Sequence, residues 1–413
     1  MNKSIDIFAF SDSRGGAAIA AKRQVSLVDK ENTIRFIVAE KLSSGTAKGP
    51  TKWQFYRHFF YRIIELIIIK VFCNKCYGKK SLNIFCSPHC KNELLNSKAD
   101  IIHFHWINND TISINILTKI LNSDNRKFVI TMHDDWLIAN YEHCIPEKDN
   151  RYINGYNKRT SNLIDRIFYR RKIKLRQFIQ KENVVVTVPS NYLKNKSKNS
   201  KVLSNSDIEV IGNPIDTHTF IPISCMSARK IYNLESDVFV ILYGGGGSYL
   251  KGGDLLIDSL NIMSNLTDKK ILLLSFGNSL IKKFSVESYE VIEVGLINSD
   301  QELATLYSCA DITVVPSRIE SFGQVAAESL ACETPVIAFD NSGLTDIIQH
   351  NQSGFLVPAF DTRKLAQHII DFSNYPKKKR LEMGKLGRDY ICNNFSTEII
   401  SLKWNQLYNK IGK

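Results

Sequence analysis

Ten short runs of apolar, largely β-branched residues, separated by stretches long enough for a helix, constrain the fold of this chain more than any other feature. The first five are Ser4–Phe10, Thr33–Val38, Ile101–His105, Phe128–Met132 and Val184–Val188; the second five are Val238–Tyr243, Lys270–Ser275, Val291–Val294, Ile312–Val315 and Val336–Phe339. Such runs, apolar over most of their length and separated by helical lengths, are as expected of parallel strands covered on both faces. The expected fold class is therefore α/β, a doubly wound parallel sheet of the Rossmann kind written twice. The rhythm breaks at IEVIGNPIDTHTF, Ile208–Phe220, where a short strand ends in a Gly-Asn-Pro turn. Residues 1–215 are accordingly expected to form one domain and 216–395 a second, facing each other across a central cleft. In open parallel sheets ligands sit beyond the carboxyl ends of the strands, which directs attention to the residues that follow each run.

The 413 residues are 44% hydrophobic and 23% charged, a folded composition that argues against disorder. A formal charge of +13 implies an anionic partner: nucleic acid, a phosphorylated substrate or a membrane surface. The excess clusters in Arg151–Arg176 and around Lys52–Lys80. The second cluster surrounds FFYRIIELIIIKVFC, Phe59–Cys73, in which Arg62, Glu65 and Lys70 interrupt the ~20 apolar residues a spanning helix needs. Two readings stand: a helix lying in the headgroup region of an anionic membrane, or a core helix with a solvated edge. The opening run MNKSIDIFAF contains Asp6 and is too short for a signal peptide, so the chain is expected in the cytoplasm. Nine cysteines, an odd number, read as free thiols. Cys73, Cys76, Cys86 and Cys90 have zinc-ribbon-like ends, but the nine-residue loop between them is short for zinc.

Three strand ends carry chemistry. After the first run, Gly15 and Gly16 open a helix, which permits close backbone approach of an anion or simply a tight turn. After Tyr243 come GGGG and then Lys251, a pattern of exposed N–H groups and a point charge that suits a diphosphate; a flexible loop is the alternative. After Phe128–Met132 stands HDDW, whose His133 can bond a substrate hydroxyl. His103 and His105 alternate within a strand and are expected beneath it.

The stretch ESFGQVAAESLA, Glu320–Ala331, follows the run Ile312–Val315. Ser321 and Gln324 have the spacing of a capping box, which predicts a helix over Ser321–Ala331. Glu320 then precedes the helix, Glu328 lies about two turns in, and the N–H groups of Phe322, Gly323 and Gln324 are available. Carboxylates accept from hydroxyls, and amides bind phosphate or sugar oxygens. Two carboxylates flanking such donors suit a sugar nucleotide; a cap and a surface glutamate are the plainer reading.

Together these residues resemble a family 4 glycosyltransferase of the GT-B architecture. The resemblance rests on Gly15-Gly16, TMHDDW, IGNPID, Lys251-Gly252, YSCADITVVPSRIESFGQVAAESLACETPVIAFD and SGLTDIIQHNQSGFLVP, and is densest over Tyr307–Pro358. GGAA, IIHFHW and HDDW are similar to bacterial polysaccharide transferases of the colanic acid type. The resemblance implies a retaining, metal-independent hexosyltransferase of surface polysaccharide synthesis, such as O-antigen of lipopolysaccharide, capsule or exopolysaccharide. It would need no cofactor and would take a UDP- or GDP-linked sugar as donor. Glu320, His133 and Lys251 would carry the reaction: Glu320 holding donor-sugar hydroxyls, His133 facing the reacting sugar and Lys251 neutralising the diphosphate. Gly15, Gly16, Phe322, Gly323 and Gln324 would belong to the donor site, with the base near Leu296 and the ribose on Glu328. The acceptor would be a lipid-linked glycan at the inner face of an anionic membrane, with no role for nucleic acid, and the closing helix, within 396–413, would pack back on the first domain.

Two departures stand out. Relatives usually carry an arginine where this chain has Gly245, with Lys282 or Lys283 as conceivable substitutes, and Glu333 replaces a common glycine. A sugar-nucleotide epimerase and a catalytically silent basic binding protein remain as alternatives.

Overall fold

In the computed structural model the described residues are all but 1–2, 29–31, 74–77, 147, 246–247, 278–288 and 413. They divide into two compact units, Met1–Pro214 with Ile400–Lys413, and Ile215–Ile399. Each contains one six-stranded, all-parallel sheet.

Unit 1 is built on β1 (Ser4–Ser11), β2 (Thr33–Glu40), β3 (Ile101–His105), β4 (Lys127–Thr131), β5 (Val184–Val188) and β6 (Ile208–Val210), in the order β2-β1-β3-β4-β5-β6. Every residue of β3 and β5 is buried, as expected of strands with helices on both faces. Asp6, which breaks the first apolar run, is 1% exposed and lies opposite Arg35 in the β1–β2 register. The Arg35 guanidinium forks onto its carboxylate, so the strand buries a paired charge. The helix Thr397–Ile411 buries Trp404 and Tyr408, and the Tyr408 hydroxyl lies 2.8 Å from His103 Nδ1.

Unit 2 carries β7 (Phe239–Gly244), β8 (Ile271–Phe276), β9 (Glu290–Gly295), β10 (Ile312–Val315), β11 (Val336–Phe339) and β12 (Gly354–Val357), in the order β12-β11-β10-β7-β8-β9. Leucine, isoleucine and phenylalanine side chains of β7, β8, β10, β11 and β12 pack with those of the helices Gly253–Met263 and Thr362–Ser373 into one core. The order reverses between β7 and β10, so the crevice of a doubly wound sheet opens there. In unit 1 the corresponding reversal lies between β1 and β3.

Several expectations are refined. Strand ends move by one or two residues, and β12 was not foreseen, being a four-residue GFLV run between turns. Of the basic cluster Arg151–Arg176, four members serve the interior. Lys172 is buried against Trp136, donating to its carbonyl. Arg151 pairs with Asp149 and Glu142, Arg171 donates to the carbonyls of Leu82 and Asn83, and Arg176 donates to Ser204. Cys86 and Cys90 lie in the unit 1 core, burial pushing the Cys86 thiol up to about 12. Cys76 falls outside the described residues, among which no group of His, Cys, Asp and Glu could hold a metal. No described helix is long and apolar enough to cross a membrane.

Candidate functional site

The reversal point of unit 2 is assembled by close backbone approach. Gly252 turns left-handed at φ +67°, and a Cβ there would sit 1.8 Å from the carbonyl oxygen of Pro316, just after β10. Only glycine lets the segment after β7 lie on the segment after β10. Arg318 then ties the two together, donating to the Tyr249 carbonyl at 2.7 Å and forking onto Asp254 at 2.7 and 2.6 Å, while its own N–H donates to the Leu250 carbonyl. The outcome is that Lys251 Nζ stands 2.5 Å from Glu320 Oε1, which also accepts from Ser317 Oγ at 2.9 Å. The two residues assigned to diphosphate and sugar are thus brought together from positions 69 apart in the chain.

The helix after β10 does not begin as the spacing suggested. It spans Gln324–Ala331, its N-cap is Gly323 at φ +105°, and no side chain caps it. The Ser321–Gln324 capping box is therefore not formed. Gly343 explains this: its N–H donates to the Glu320 carbonyl at 2.8 Å, and a Cβ there would lie 2.5 Å from the Ser321 carbonyl oxygen. That contact bends the chain into a three-residue loop before the helix. Phe322 is buried, edge-on to Phe395 at 5.4 Å, so only its backbone is presented. The N–H groups of Phe322, Gly323 and Gln324 donate to no acceptor among the described residues. They form the ready anion site of an uncapped helix start.

Gln324 turns its side chain along the helix, donating to Glu328 Oε1 at 2.8 Å, and Tyr307 donates to Glu328 Oε2 at 3.2 Å. Glu328 is 5% exposed and lies one turn in, not two. Gly295 ends β9 at φ +84° and accepts from the Gly277 N–H at 2.7 Å, leaving the following Leu296 67% exposed beyond the strand ends. Gly245 is buried against Tyr243, and a Cβ there would overlap the tyrosine ring at 2.1 Å, so a larger residue requires that ring to move. Lys282 and Lys283 lie outside the described residues.

In unit 1, Gly15 takes φ +89° and its carbonyl accepts from Ala18 and Ile19, starting the helix Gly16–Val28. A Cβ at Gly15 or Gly16 would meet nothing within 4 Å, so the space before this helix is open. Asp12 fixes the preceding turn by accepting from the N–H groups of Leu42 and Ser43.

His133 follows β4 and packs on β3. Its Nε2 is 2.9 Å from Nδ1 of His105, and His103 lies beside it, bonded to Thr131 and Tyr408. Burial drives the imidazole of His133 down to about 4 and those of His103 and His105 well below their usual range. All three are neutral near pH 7. One proton lies between His105 and His133, and His105 Nε2 has no partner among the described residues. An orphaned buried acceptor is less rare than an orphaned N–H, which favours the proton on His105 Nδ1. His133 then keeps its own proton on Nδ1, as a neutral donor. Burial raises the next residue, Asp134, but the charge and hydrogen bond of His143 outweigh it, with Trp136 N–H and Trp106 Nε1 adding to the effect; the carboxyl stays below its usual range. Sequence reasoning missed this anchoring of HDDW, the supporting role of His105, and Arg318. Arg318 had a signal, since it stands in SRIESFG at a strand end.

Known proteins similar to this chain bear on its family and fold. Residues 54–219 match Glycosyltransferase Family 4, and residues 227–390 match Glycosyl transferases group 1. The chain is 32% identical over 186 residues to the D-inositol 3-phosphate glycosyltransferase of Thermobispora bispora, covering 41% of this chain and 43% of that one. It is 23% identical to the N-acetyl-alpha-D-glucosaminyl L-malate synthase of Bacillus anthracis, over 75% of this chain and 74% of the other. A capsular polysaccharide biosynthesis glycosyltransferase of Staphylococcus aureus is 29% identical, over 54% and 61%. The chain thus spans less than half the length of the first relative and about three quarters of the second. Among solved structures, sucrose-phosphate synthase of Thermosynechococcus elongatus superposes with a TM-score of 0.69 at 20% identity, over 99% of both chains. Anabaena HepE, solved in complex with UDP and glucose, gives 0.65 at 15%, over 99% of this chain and 100% of that one. These establish the GT-B fold. Two parallel doubly wound sheets of the GT-B fold thus carry one match each, the N-terminal segment being similar to Glycosyltransferase Family 4 and the C-terminal segment to Glycosyl transferases group 1.

Proposed function

We propose that this protein is a retaining glycosyltransferase that moves a sugar from a UDP- or GDP-linked donor to a lipid-linked glycan in bacterial surface polysaccharide synthesis. The observation that carries the reading is the Lys251–Glu320 pair at the reversal point of unit 2, beside three N–H groups with no acceptor among the described residues. Lys251 neutralises the diphosphate, Glu320 holds donor-sugar hydroxyls, the amides of Phe322, Gly323 and Gln324 take phosphate or sugar oxygens, and Glu328 takes the ribose. Leu296 supports the base. His133, neutral, donates to the reacting sugar, and the amide end at Gly15 and Gly16 completes the donor-binding set. The bond between the anomeric carbon and the diphosphate oxygen breaks, the acceptor oxygen bonds to the same face, and its proton passes to the departing phosphate. No metal is required in this scheme, since Lys251 and the amides answer the developing charge.

Support for the donor class comes from HepE, solved with UDP and glucose, and support for the pathway class from the capsular relative. Unit 1 is assigned the acceptor, and the +13 charge favours an acceptor presented at an anionic surface. A panel of UDP-, GDP- and ADP-sugars, scored by thermal shift and slow donor hydrolysis, tests the reading. One donor stabilises the protein and is hydrolysed, and Glu320→Ala loses the hydrolysis; if no donor does either, the silent-binding alternative takes its place.

A further inference from the structure

The helix Lys52–Phe72 is inside out. Its only fully buried residues are polar, His58 and Glu65. Glu65 accepts from the N–H groups of Leu82 and Asn83 at 2.7 Å each and pairs with Arg62, and the His58 imidazole bonds the Asn109 carbonyl at 2.9 Å. Apolar side chains occupy the opposite face. Trp53, Tyr56, Phe60, Ile63, Ile67 and Val71 recur every three or four residues and are 73, 64, 58, 40, 58 and 64% exposed. A helix of a water-soluble protein buries such a stripe, and one left open over five turns marks a contact surface.

We propose that this face docks unit 1 onto an anionic lipid bilayer, the helix lying in the headgroup layer with its aromatic and aliphatic side chains inserted. The charges select the partner. Lys52 and Lys70 are exposed at the two ends of the stripe and on its side of the helix, and Arg57 flanks it; the helix's one acid, Glu65, points inward and is buried. Beside it, a cavity of about 410 Å³ is lined by Arg57 and Tyr61 of this helix and by Lys91 and Leu95 of the helix Pro88–Leu95. Basic residues bordering an apolar face favour anionic headgroups. They oppose self-pairing, because a second copy would set these cations against one another with no acid to answer them. The helix does not cross the bilayer: Arg57, Arg62, Glu65 and Lys70 interrupt it, and the bonds of Glu65 and His58 hold its inner face to the protein.

This inference does not depend on the transferase reading, and its test needs no donor. Purified protein is floated with vesicles of phosphatidylcholine alone or mixed with phosphatidylglycerol. Binding is expected at least about tenfold tighter to the mixed vesicles and weaker in high salt. Tryptophan emission shifts to the blue on binding, and Trp53→Phe removes most of the shift. The double variant Ile63→Glu, Ile67→Glu melts like wild type, since both positions are exposed, and no longer floats. The proposal is overturned by equal flotation of wild type and the double variant, by no flotation of either, or by a wild-type dimer that the double variant dissociates while neither binds vesicles.

Discussion

Lys251 and Glu320, far apart in sequence, form an ion pair at the one place in unit 2 where the strand order reverses. The pair has a chemical consequence. The two charges satisfy each other; under the proposed function a bound diphosphate would compete for the ammonium and free the carboxylate for hydroxyls. Lys251→Ala should weaken donor binding by about 10- to 100-fold, the loss expected for one charged hydrogen bond. Glu320→Gln should leave nucleotide binding nearly intact and lower turnover. Titration calorimetry with nucleotide and with nucleotide-sugar separates the two effects.

Arg318 acts on this pair indirectly, by holding the Tyr249–Lys251 turn. Arg318→Ala should raise KM for the donor more than it lowers melting temperature, and Arg318→Lys should restore only part, because a lysine cannot fork onto Asp254. Steady-state kinetics beside thermal denaturation reads this out. Equal KM in the variant would remove Arg318 from the positioning role.

Gly252 is the tightest point of the crevice. Gly252→Ala forces a left-handed alanine against the Pro316 carbonyl and should cost about 3 kcal/mol, with loss of donor binding even where the protein stays folded. Urea denaturation of the variant measures the cost.

The neutral histidines set a pH limit. His133 titrates near 4 when folded and near 6.5 when unfolded, and His103 and His105 are also depressed by burial. The unfolded chain therefore binds more protons between those values, so this stability is complete above about 6.5 and is lost as pH falls towards 4. Melting temperature should decline over that window, and His133→Gln should flatten the decline. A flat profile in the wild type would contradict the buried, neutral assignment.

How much of this was legible beforehand can be judged element by element. β3, β5, β10 and β11 were found to the residue because β-branched runs buried on both faces have no competing pattern. Glu320, Lys251 and the amide loop were singled out because strand ends are where ligands bind, but their mutual contact was invisible: it depends on Gly252 packing on Pro316 and on Arg318, contacts remote in sequence. The capping box failed for a similar reason, since Gly343, from a later turn, bends the chain that local spacing would have made helical. Charge counting overstated the basic cluster at Arg151–Arg176, because a lysine under a tryptophan ring looks the same in sequence as one in solvent. The helix at Lys52–Phe72 could be read as core or interface until its buried face proved to be the polar one.

The central claim is that the crevice between β7 and β10 binds a nucleoside diphosphate through Lys251. Calorimetric titration of wild type and Lys251→Ala with UDP and with GDP tests it most directly. The account predicts saturable binding of one of the two nucleotides to the wild type and a loss of at least about tenfold in the variant. Equal affinity in both proteins, or no binding of either nucleotide to the wild type, would contradict it.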